Sequence, residues 1–325
     1  MSFILTNAGI SCTLESKEQG RDAPAGEGAH MRFVEKRPMV MIVLGVAGIS
    51  LSSIFVKFST APAAVTAAWR LLWTVALMTP VVFGRGAVRR ELLAVSRRTA
   101  ALSALSGLFL AAHFVLWFES LNRTSVASST TIVCTEVIWV CLGYWLFLGG
   151  RVPAKALAAI AVTLVGSVLI AFADSGSRGQ LWGDILALLA AVAVAIYTLI
   201  GRVVREKAST TVYTYLVYTA CAAVLVLTCG VQGHALLGHG SSPVWVGLAL
   251  AVCSTILGHS IFSWCLKYFS PAFVSASKLC EPVAAAALAA VIFAQIPDVM
   301  QLIGGAMILG GVFWYSRIEG KETEK

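Results

Sequence analysis

Ten mostly apolar stretches of about twenty residues each set the strongest limit on how this chain can fold. A helix of that length spans the hydrocarbon core of a bilayer, and lipid offers no hydrogen-bond partner to exposed backbone groups. Runs this long and continuous are not typical of barrel strands. The pattern therefore predicts an all-α membrane protein with ten transmembrane helices, at residues 39–57, 64–83, 101–121, 126–148, 154–173, 181–201, 211–230, 244–265, 272–294 and 298–316.

The composition agrees with a membrane protein. Hydrophobic residues make up 58% of the 325 residues and charged residues 12%, whereas about 25% of a soluble domain is charged. The net charge of +8 comes from Lys and Arg between the apolar stretches, and no basic module accompanies it, so nucleic acid is not an expected partner. Seven of the eight cysteines lie in or beside apolar stretches without ligand spacing, so no metal site or cofactor is predicted.

The connections between the stretches differ in charge from one side of the membrane to the other. One side carries most of the Lys and Arg residues, including Arg89 and Arg205, and the other side carries few, such as Arg123 and Arg178. Because cytoplasmic loops are enriched in Lys and Arg, both termini are expected in the cytoplasm, and we place the chain in a bacterial inner (plasma) membrane.

The two ends of the chain are polar. Residues 1–38 lack the basic start and apolar stretch of a signal peptide. We expect them to form a disordered cytoplasmic tail, in which Met31 could serve as the start as well as Met1. Residues 318–325 are expected to form a short cytoplasmic C-terminal tail.

An internal repeat divides the apolar region into two halves. A constant shift of 145 residues aligns two consecutive apolar stretches and pairs several residues, namely Ala127 with Ala272, Glu136 with Glu281, Leu157 with Leu302, Ala161 with Ala306, Leu164 with Leu309 and Gly166 with Gly311. Five helices per half is an odd number, so the halves, residues 39–173 and 181–317, should be inverted relative to each other. In secondary transporters, this arrangement places the substrate site near the midplane between the halves.

Three stretches make the chain resemble a known family. They are LWFESLNRTSVASS at 116–129, GDILALLAAVAVAIYTLIGR at 183–202 and WCLKYFSPAFVSASKLCEP at 264–282. The chain is similar to ten-helix members of the drug/metabolite transporter superfamily, which are built from two EamA domains. The resemblance covers residues 39–317 and implies transport of small organic metabolites. Family members usually carry an acid at two positions that Gly150 and Gln295 occupy here, so no latch is expected there.

Two acids lie near the middle of membrane-spanning stretches, where an ionisable group is costly and usually functional. Glu136 lies about ten residues into its helix, which corresponds to the bilayer centre, and Glu281 is its repeat mate. Either could carry a proton or bind a substrate ammonium group. The alternative is a hydrogen bond that braces one helix against another. Pro282 follows Glu281 and is expected to kink its helix.

Lys278 precedes Glu281 by one helical turn, a spacing at which opposite charges can pair. Such a pair would lower the cost of inserting both charges. Alternatively, Lys278 faces the substrate and holds its carboxylate while an acid of the other half engages an amine, which would suit an amino acid. The equivalent position in the first half is Val133, and this difference favours a role beyond fold symmetry.

Four further residues are candidates for the substrate pathway. His113 and His259 correspond in the repeat and are expected near opposite ends of the pathway, because the halves are inverted. Each could change charge near neutral pH, or simply pack. Trp117 follows His113 by one turn, and the resemblance places Tyr197 in the cavity lining; packing or interfacial roles are the alternatives.

Three other charged residues are expected to be structural. Arg70 lies in the outer part of the second helix and is expected to pair with Glu119, which also has Arg123 one turn away. Asp184 lies in the first turn of the sixth helix, where an acid complements the helix dipole.

These patterns favour a secondary transporter that exports or exchanges a small organic metabolite, with amino acids as the best match. The expected partners are this solute, with or without protons, and the lipid bilayer. The alternatives are efflux of cationic drugs and, from a different class, a non-transporting membrane scaffold. No phosphate-binding loop, zinc motif or nucleophile elbow occurs in the sequence, so an enzyme is not predicted.

Overall fold

Every regular element in the described part of the protein is helical. The computed structural model describes residues 38–124, 126–174, 181–284, 287–288 and 299–323. The expected tail up to residue 37, Arg178, Gln295 and the last part of the predicted ninth span lie outside these residues. Residues Ile42–Lys325 form one compact unit, which contains all the site residues discussed below; in the other unit, Met1–Met41, only the start of the first helix is described.

The helices follow one another with short connections. They are α1 (Pro38–Ser50), α2 (Ser52–Lys57), α3 (Ala63–Gly84), α4 (Gly86–Ala94), α5 (Arg97–Arg123), α6 (Val126–Cys134), α7 (Glu136–Leu148), α8 (Ala154–Asp174), α9 (Leu181–Arg205), α10 (Thr210–Val231), α11 (Ser242–Ala249), a π-helical segment (Leu250–His259), α12 (Ser260–Cys265), α13 (Pro271–Lys278) and α14 (Val299–Thr323).

Eight helical stretches within the described residues are long and apolar enough to cross a membrane. They correspond to eight of the ten predicted spans, and several of them combine two helices separated by a break, as α6 and α7 do. The predicted fifth span is α8, whose apolar part, Ala154–Leu169, is shorter. The predicted ninth span begins with α13 and continues into residues that are not described. The predicted fold class, an all-α protein of two inverted repeats, is confirmed.

Two glycines make the crossing of α8 and α14 symmetric. A Cβ atom on Gly166 would lie 2.6 Å from the carbonyl oxygen of Gly304, and one on Gly311 would lie 2.9 Å from the carbonyl oxygen of Ala159. A shift of 145 residues turns the first contact into the second. Small residues at such points let two membrane helices approach closely. The 145-residue shift found in the sequence therefore also relates the two close contacts between α8 and α14.

Replacing Gly311 by alanine is expected to lower the free energy of unfolding by about 1–3 kcal/mol, the usual cost of overpacking. The new methyl group would meet both Thr163 and the backbone of Ala159. The control is Gly310→Ala, because a Cβ on Gly310 meets nothing within 4 Å and alanine favours helix. Thermal unfolding in detergent compares the two variants. Equal unfolding temperatures would contradict the close crossing.

The two helices that carry the midplane acids are broken at equivalent points. The amide of Thr135 donates to the carbonyl of Ile132 at 3.0 Å, and that of Cys280 donates to the carbonyl of Ser277 at 3.2 Å. Both bonds span three residues instead of the four of an α-helix, so the chain tightens there. Pro282 lacks an amide hydrogen and favours the second break, as expected. In the first half, the Thr135 hydroxyl bonds to the same Ile132 carbonyl at 2.6 Å.

The remaining helices pack around these broken ones. Helix α9 lies against α5 and α7, α10 packs on α3 and α5, and α7 contacts α13. Leu71, Phe114, Tyr213 and Tyr218 are fully buried between the helices, while large apolar side chains such as Phe147 are exposed. Exposed residues of this kind suit a surface that faces lipid.

Candidate functional site

A narrow cavity, with about 40 Å³ open to water-sized molecules, lies between residues of the two repeats. Several charged side chains line it. The charged and aromatic side chains that line it are Arg70, His113, Trp117 and Glu136 from the first repeat and His259, Lys278 and Glu281 from the second. The sequence predicts six of these seven residues as part of the substrate pathway; the exception is Arg70.

An ion pair joins the two repeats at the cavity. Lys278 Nζ lies 2.8 Å from Glu136 Oε1, and the two side chains are only 10% and 5% exposed. Lys278 Nζ also lies 5.5 Å from the centre of the Phe262 ring. The attraction between the two groups offsets part of the cost of burying them.

The helix breaks explain why these two residues meet. Lys278 is the last residue of α13, and Glu136 is the first residue of α7. A cation at a helix C-terminus and an anion at a helix N-terminus each complement the local helix dipole. The expected pairing of Lys278 with Glu281 is not found, because the turn at Leu279 and Cys280 interrupts the helix that would have placed them on one face.

Glu281 lines the same cavity without a hydrogen bond or ion pair to any described residue. Its repeat mate Glu136 is neutralised by Lys278 of the other repeat. The repeat mate of Lys278 is Val133, which has no charge and cannot pair with Glu281 in the same way. The cavity therefore holds one paired and one unpaired carboxyl group. An unpaired acid at this depth is costly unless it binds a proton or a ligand.

The two histidines lie together and not at opposite ends, which corrects the expectation from the sequence. Their ring centres are 6.5 Å apart. His113 lies only about one turn past the middle of the 27-residue helix α5, and His259 ends the π-helical segment, whose wider turns change the direction of the side chains that follow. His113 Nδ1 donates to the carbonyl of Ala190 at 3.0 Å, and its ring stacks on Trp117.

Arg70 is the largest difference from the expected site. It does not pair with Glu119, because Glu119 accepts hydrogen bonds from Arg123 at the protein surface. Instead, Arg70 is fully buried and lines the cavity. Its Nε donates to Thr255 Oγ1 at 2.7 Å, and its Nη1 donates to Ser52 Oγ at 3.3 Å.

Tyr197 lies beside the cavity, and Asp184 lies away from it. Tyr197 is buried, its hydroxyl is 2.9 Å from Ser263 Oγ, and its ring lies 6.1 Å from that of His259. It therefore supports the wall next to His259. Asp184 lies in the first turn of α9 as expected and accepts a hydrogen bond from Thr124 Oγ1 at 2.8 Å.

Helix α9 is bound to the end of α12 by two arginines on one side of the membrane. Arg205 Nε donates to the carbonyl of Ser263 at 3.1 Å, and Arg202 Nη1 donates to the carbonyl of Leu266 at 2.5 Å. Both carbonyls are at a helix end, where they lack helical partners. These contacts hold the helices together on the side that the charge distribution predicts to be cytoplasmic.

Sequence reasoning missed Ser52, Thr255 and Phe114 as parts of the site. Ser52 and Thr255 fix the Arg70 guanidinium, and Phe114 lies beneath it with its ring centre 4.2 Å from Arg70 Cζ. An arginine within an apolar stretch was the available signal, since a buried guanidinium requires several partners. Nothing in the sequence identified which side of the helix Arg70 occupies.

An inverted repeat of membrane helices around a polar cavity between the halves is the architecture of a membrane transporter. Comparison with protein families agrees. The sequence profile of the EamA-like transporter family matches residues 36–172 and again 181–317. The chain therefore belongs to the EamA-like transporter family and is a multi-pass integral membrane protein.

The relatives and a solved structure are consistent with this assignment. The chain is 26% identical over 221 residues to uncharacterized transporter YxxF of Bacillus subtilis (strain 168), covering 67% of this chain and 70% of the relative. It is 25% identical over 196 residues to an uncharacterized transporter of Archaeoglobus fulgidus, covering 60% and 69%. A crystal structure matches with a TM-score of 0.72 at 18% identity, covering 88% of this chain and 98% of the other, which shows a shared fold.

Proposed function

We propose that this protein is a secondary transporter that exports or exchanges a small organic metabolite, an amino acid, by alternating access. The observation that carries the proposal is the cavity between the repeats, in which the Glu136–Lys278 pair joins the halves and Glu281 has no partner among the described residues. In this conformation the cavity has only about 40 Å³ open to water-sized molecules, so the halves must separate to admit a solute, as alternating access requires.

The Glu136–Lys278 pair is the contact that changes when the halves move. Glu136 belongs to the first repeat and Lys278 to the second, so rocking one repeat against the other alters the distance between their side chains. The broken helices at Thr135 and Cys280 provide the points about which such a change can occur, since hinges are commonly found at element ends.

The chemistry of the cavity suits an amino acid with an apolar side chain. Glu281 can pair with the substrate ammonium group, and the stacked rings of His113 and Trp117 offer a flat surface to an apolar or aromatic side chain. Lys278 is less suited to hold the substrate carboxylate, because its ammonium group is already paired with Glu136.

Efflux of lipophilic cations is the second candidate, since an unpaired Glu281 beside aromatic rings would also attract a cation. The fully buried guanidinium of Arg70 in the same cavity opposes it. A purely cationic solute would have to approach Arg70 without offering it an anion.

Counterflow in proteoliposomes tests the proposal. Vesicles loaded with unlabelled amino acid are expected to accumulate the labelled amino acid transiently. Vesicles loaded with tetraphenylphosphonium are expected not to accumulate labelled tetraphenylphosphonium. Accumulation of tetraphenylphosphonium alone would favour cation efflux, and failure on every solute of the panel would favour a scaffold.

The same vesicles test proton coupling. We expect an imposed pH gradient to change the rate of net uptake if Glu136 or Glu281 carries a proton during the cycle. Equal rates with and without the gradient would assign facilitated exchange instead.

A further inference from the structure

We infer that Arg70 is the anchor for a carboxylate group of the substrate, a role distinct from that of the Glu136–Lys278 pair. The inference rests on the proposed function in that it requires a transported solute, but it concerns a different residue and a different part of the solute. It deepens the proposal by assigning the cavity to molecules that carry an anionic group.

The guanidinium of Arg70 is fixed by its neighbours, but one of its three nitrogens has no hydrogen-bond acceptor among the described residues. Its Nε and Nη1 bond to Thr255 and Ser52, and its Cζ lies 4.2 Å above the centre of the Phe114 ring. Its Nη2 is buried and has no hydrogen-bond partner among the described residues. A buried N–H donor without an acceptor is costly, and a side chain fixed on three sides is preorganised to receive one.

The charges of the cavity leave Arg70 available for a ligand. The other cation, Lys278, is neutralised by Glu136 at 2.8 Å. The remaining acid, Glu281, interacts electrostatically with Arg70 but forms no ion pair with it. The lining therefore presents one cation and one carboxyl group that have no ion-pair partner within the part of the chain that the structure describes.

An amino acid supplies both missing partners. Its carboxylate can accept a charge-assisted hydrogen bond from Arg70 Nη2, while its ammonium group meets Glu281. Ser52, which lines the same cavity, carries a hydroxyl that can donate to the second carboxylate oxygen. A solute with a phosphate would offer the same acceptor atoms, so the test must distinguish the two anions.

The experiment measures binding of matched sets of ligands to purified protein. Each set contains an amino acid, the amine that lacks its carboxylate and the acid that lacks its amine. One set is L-phenylalanine, 2-phenylethylamine and 3-phenylpropionate, and the other is L-leucine, isoamylamine and 4-methylpentanoate. Inorganic phosphate is added as the alternative anion. Affinities for wild type and Arg70→Gln are compared by displacement of a labelled member of each set.

We expect Arg70→Gln to weaken binding of the amino acid and the acid by about tenfold or more, as for loss of a charge-assisted bond, and to leave binding of the amine unchanged. Equal weakening of all three ligands would show a structural role and overturn the inference. Unchanged binding of the two carboxylates, or competition by phosphate as strong as theirs, would also overturn it.

A second variant keeps the test valid if Arg70→Gln does not fold. Arg70→Lys keeps the charge, but its single nitrogen cannot stand at the positions of Nε, which bonds Thr255, and of Nη2 at the same time, so it too should weaken only the carboxylate ligands. The inference and the proposed function fail in different ways. Wild type that binds the acids but not the amino acids would contradict amino-acid transport and leave Arg70 as a carboxylate anchor. Wild type that binds none of the ligands would contradict both.

Discussion

Lys278→Met is expected to lower the free energy of unfolding by about 3–5 kcal/mol and to abolish exchange, because it leaves Glu136 buried without its cation. The reciprocal change, Glu136→Gln, should have a comparable effect through the unpaired ammonium group. Thermal unfolding in detergent measures the loss of stability, and counterflow in vesicles measures exchange.

The double variant separates the ion pair from the individual side chains. In Glu136→Gln with Lys278→Met, neither buried charge remains, so the stability should return to within about 1 kcal/mol of wild type. Exchange should stay absent, because the contact between the moving halves is gone. Additive losses of stability in the double variant would show that the two residues do not act as a pair.

Glu281→Gln is expected to abolish exchange with little change in stability. Glu281 lines the cavity and makes no hydrogen bond or ion pair with the described residues, so the fold loses no contact when its charge is removed. The amide cannot pair with an ammonium group or carry a proton. Counterflow and thermal unfolding of the same preparation measure both properties.

The control for this variant is Glu119→Gln. Glu119 forms an exposed pair with Arg123, with side chains 35% and 46% exposed, and such pairs contribute about 1 kcal/mol or less. It should therefore retain both exchange and stability. Loss of stability in Glu281→Gln, or exchange as fast as in Glu119→Gln, would remove Glu281 from the site.

The overall fold was accessible from the sequence because its signals are long and repeated. Apolar stretches of about twenty residues mark membrane spans, and the 145-residue register paired Gly166 with Gly311, which occupy equivalent points of the α8–α14 crossing. The helix breaks were harder to foresee. Pro282 indicates the break at Cys280. No proline follows Thr135, and the break there depends on a local hydrogen bond of the Thr135 hydroxyl.

The site could be predicted only in part, because the direction of a side chain depends on these local departures from the α-helix. Lys278 and Glu281 would share a face on a continuous helix, but the turn between them directs Lys278 to Glu136. The π-helical segment similarly brings His259 beside His113. For Arg70, position along the helix gave no information on which neighbours it faces.

The central claim is that the cavity between the repeats opens in turn to each side of the membrane. The most direct test introduces one cysteine at Val133, which lines the cavity, after replacing the eight native cysteines. Thr163→Cys, which is buried at the α8–α14 crossing away from the cavity, is the control and should not react.

A membrane-impermeant thiol reagent is then applied to sealed vesicles from either side, with and without substrate. We expect the cysteine at position 133 to react from both sides and bound amino acid to slow both reactions. Reaction from one side only, unaffected by substrate, would contradict alternating access through this cavity.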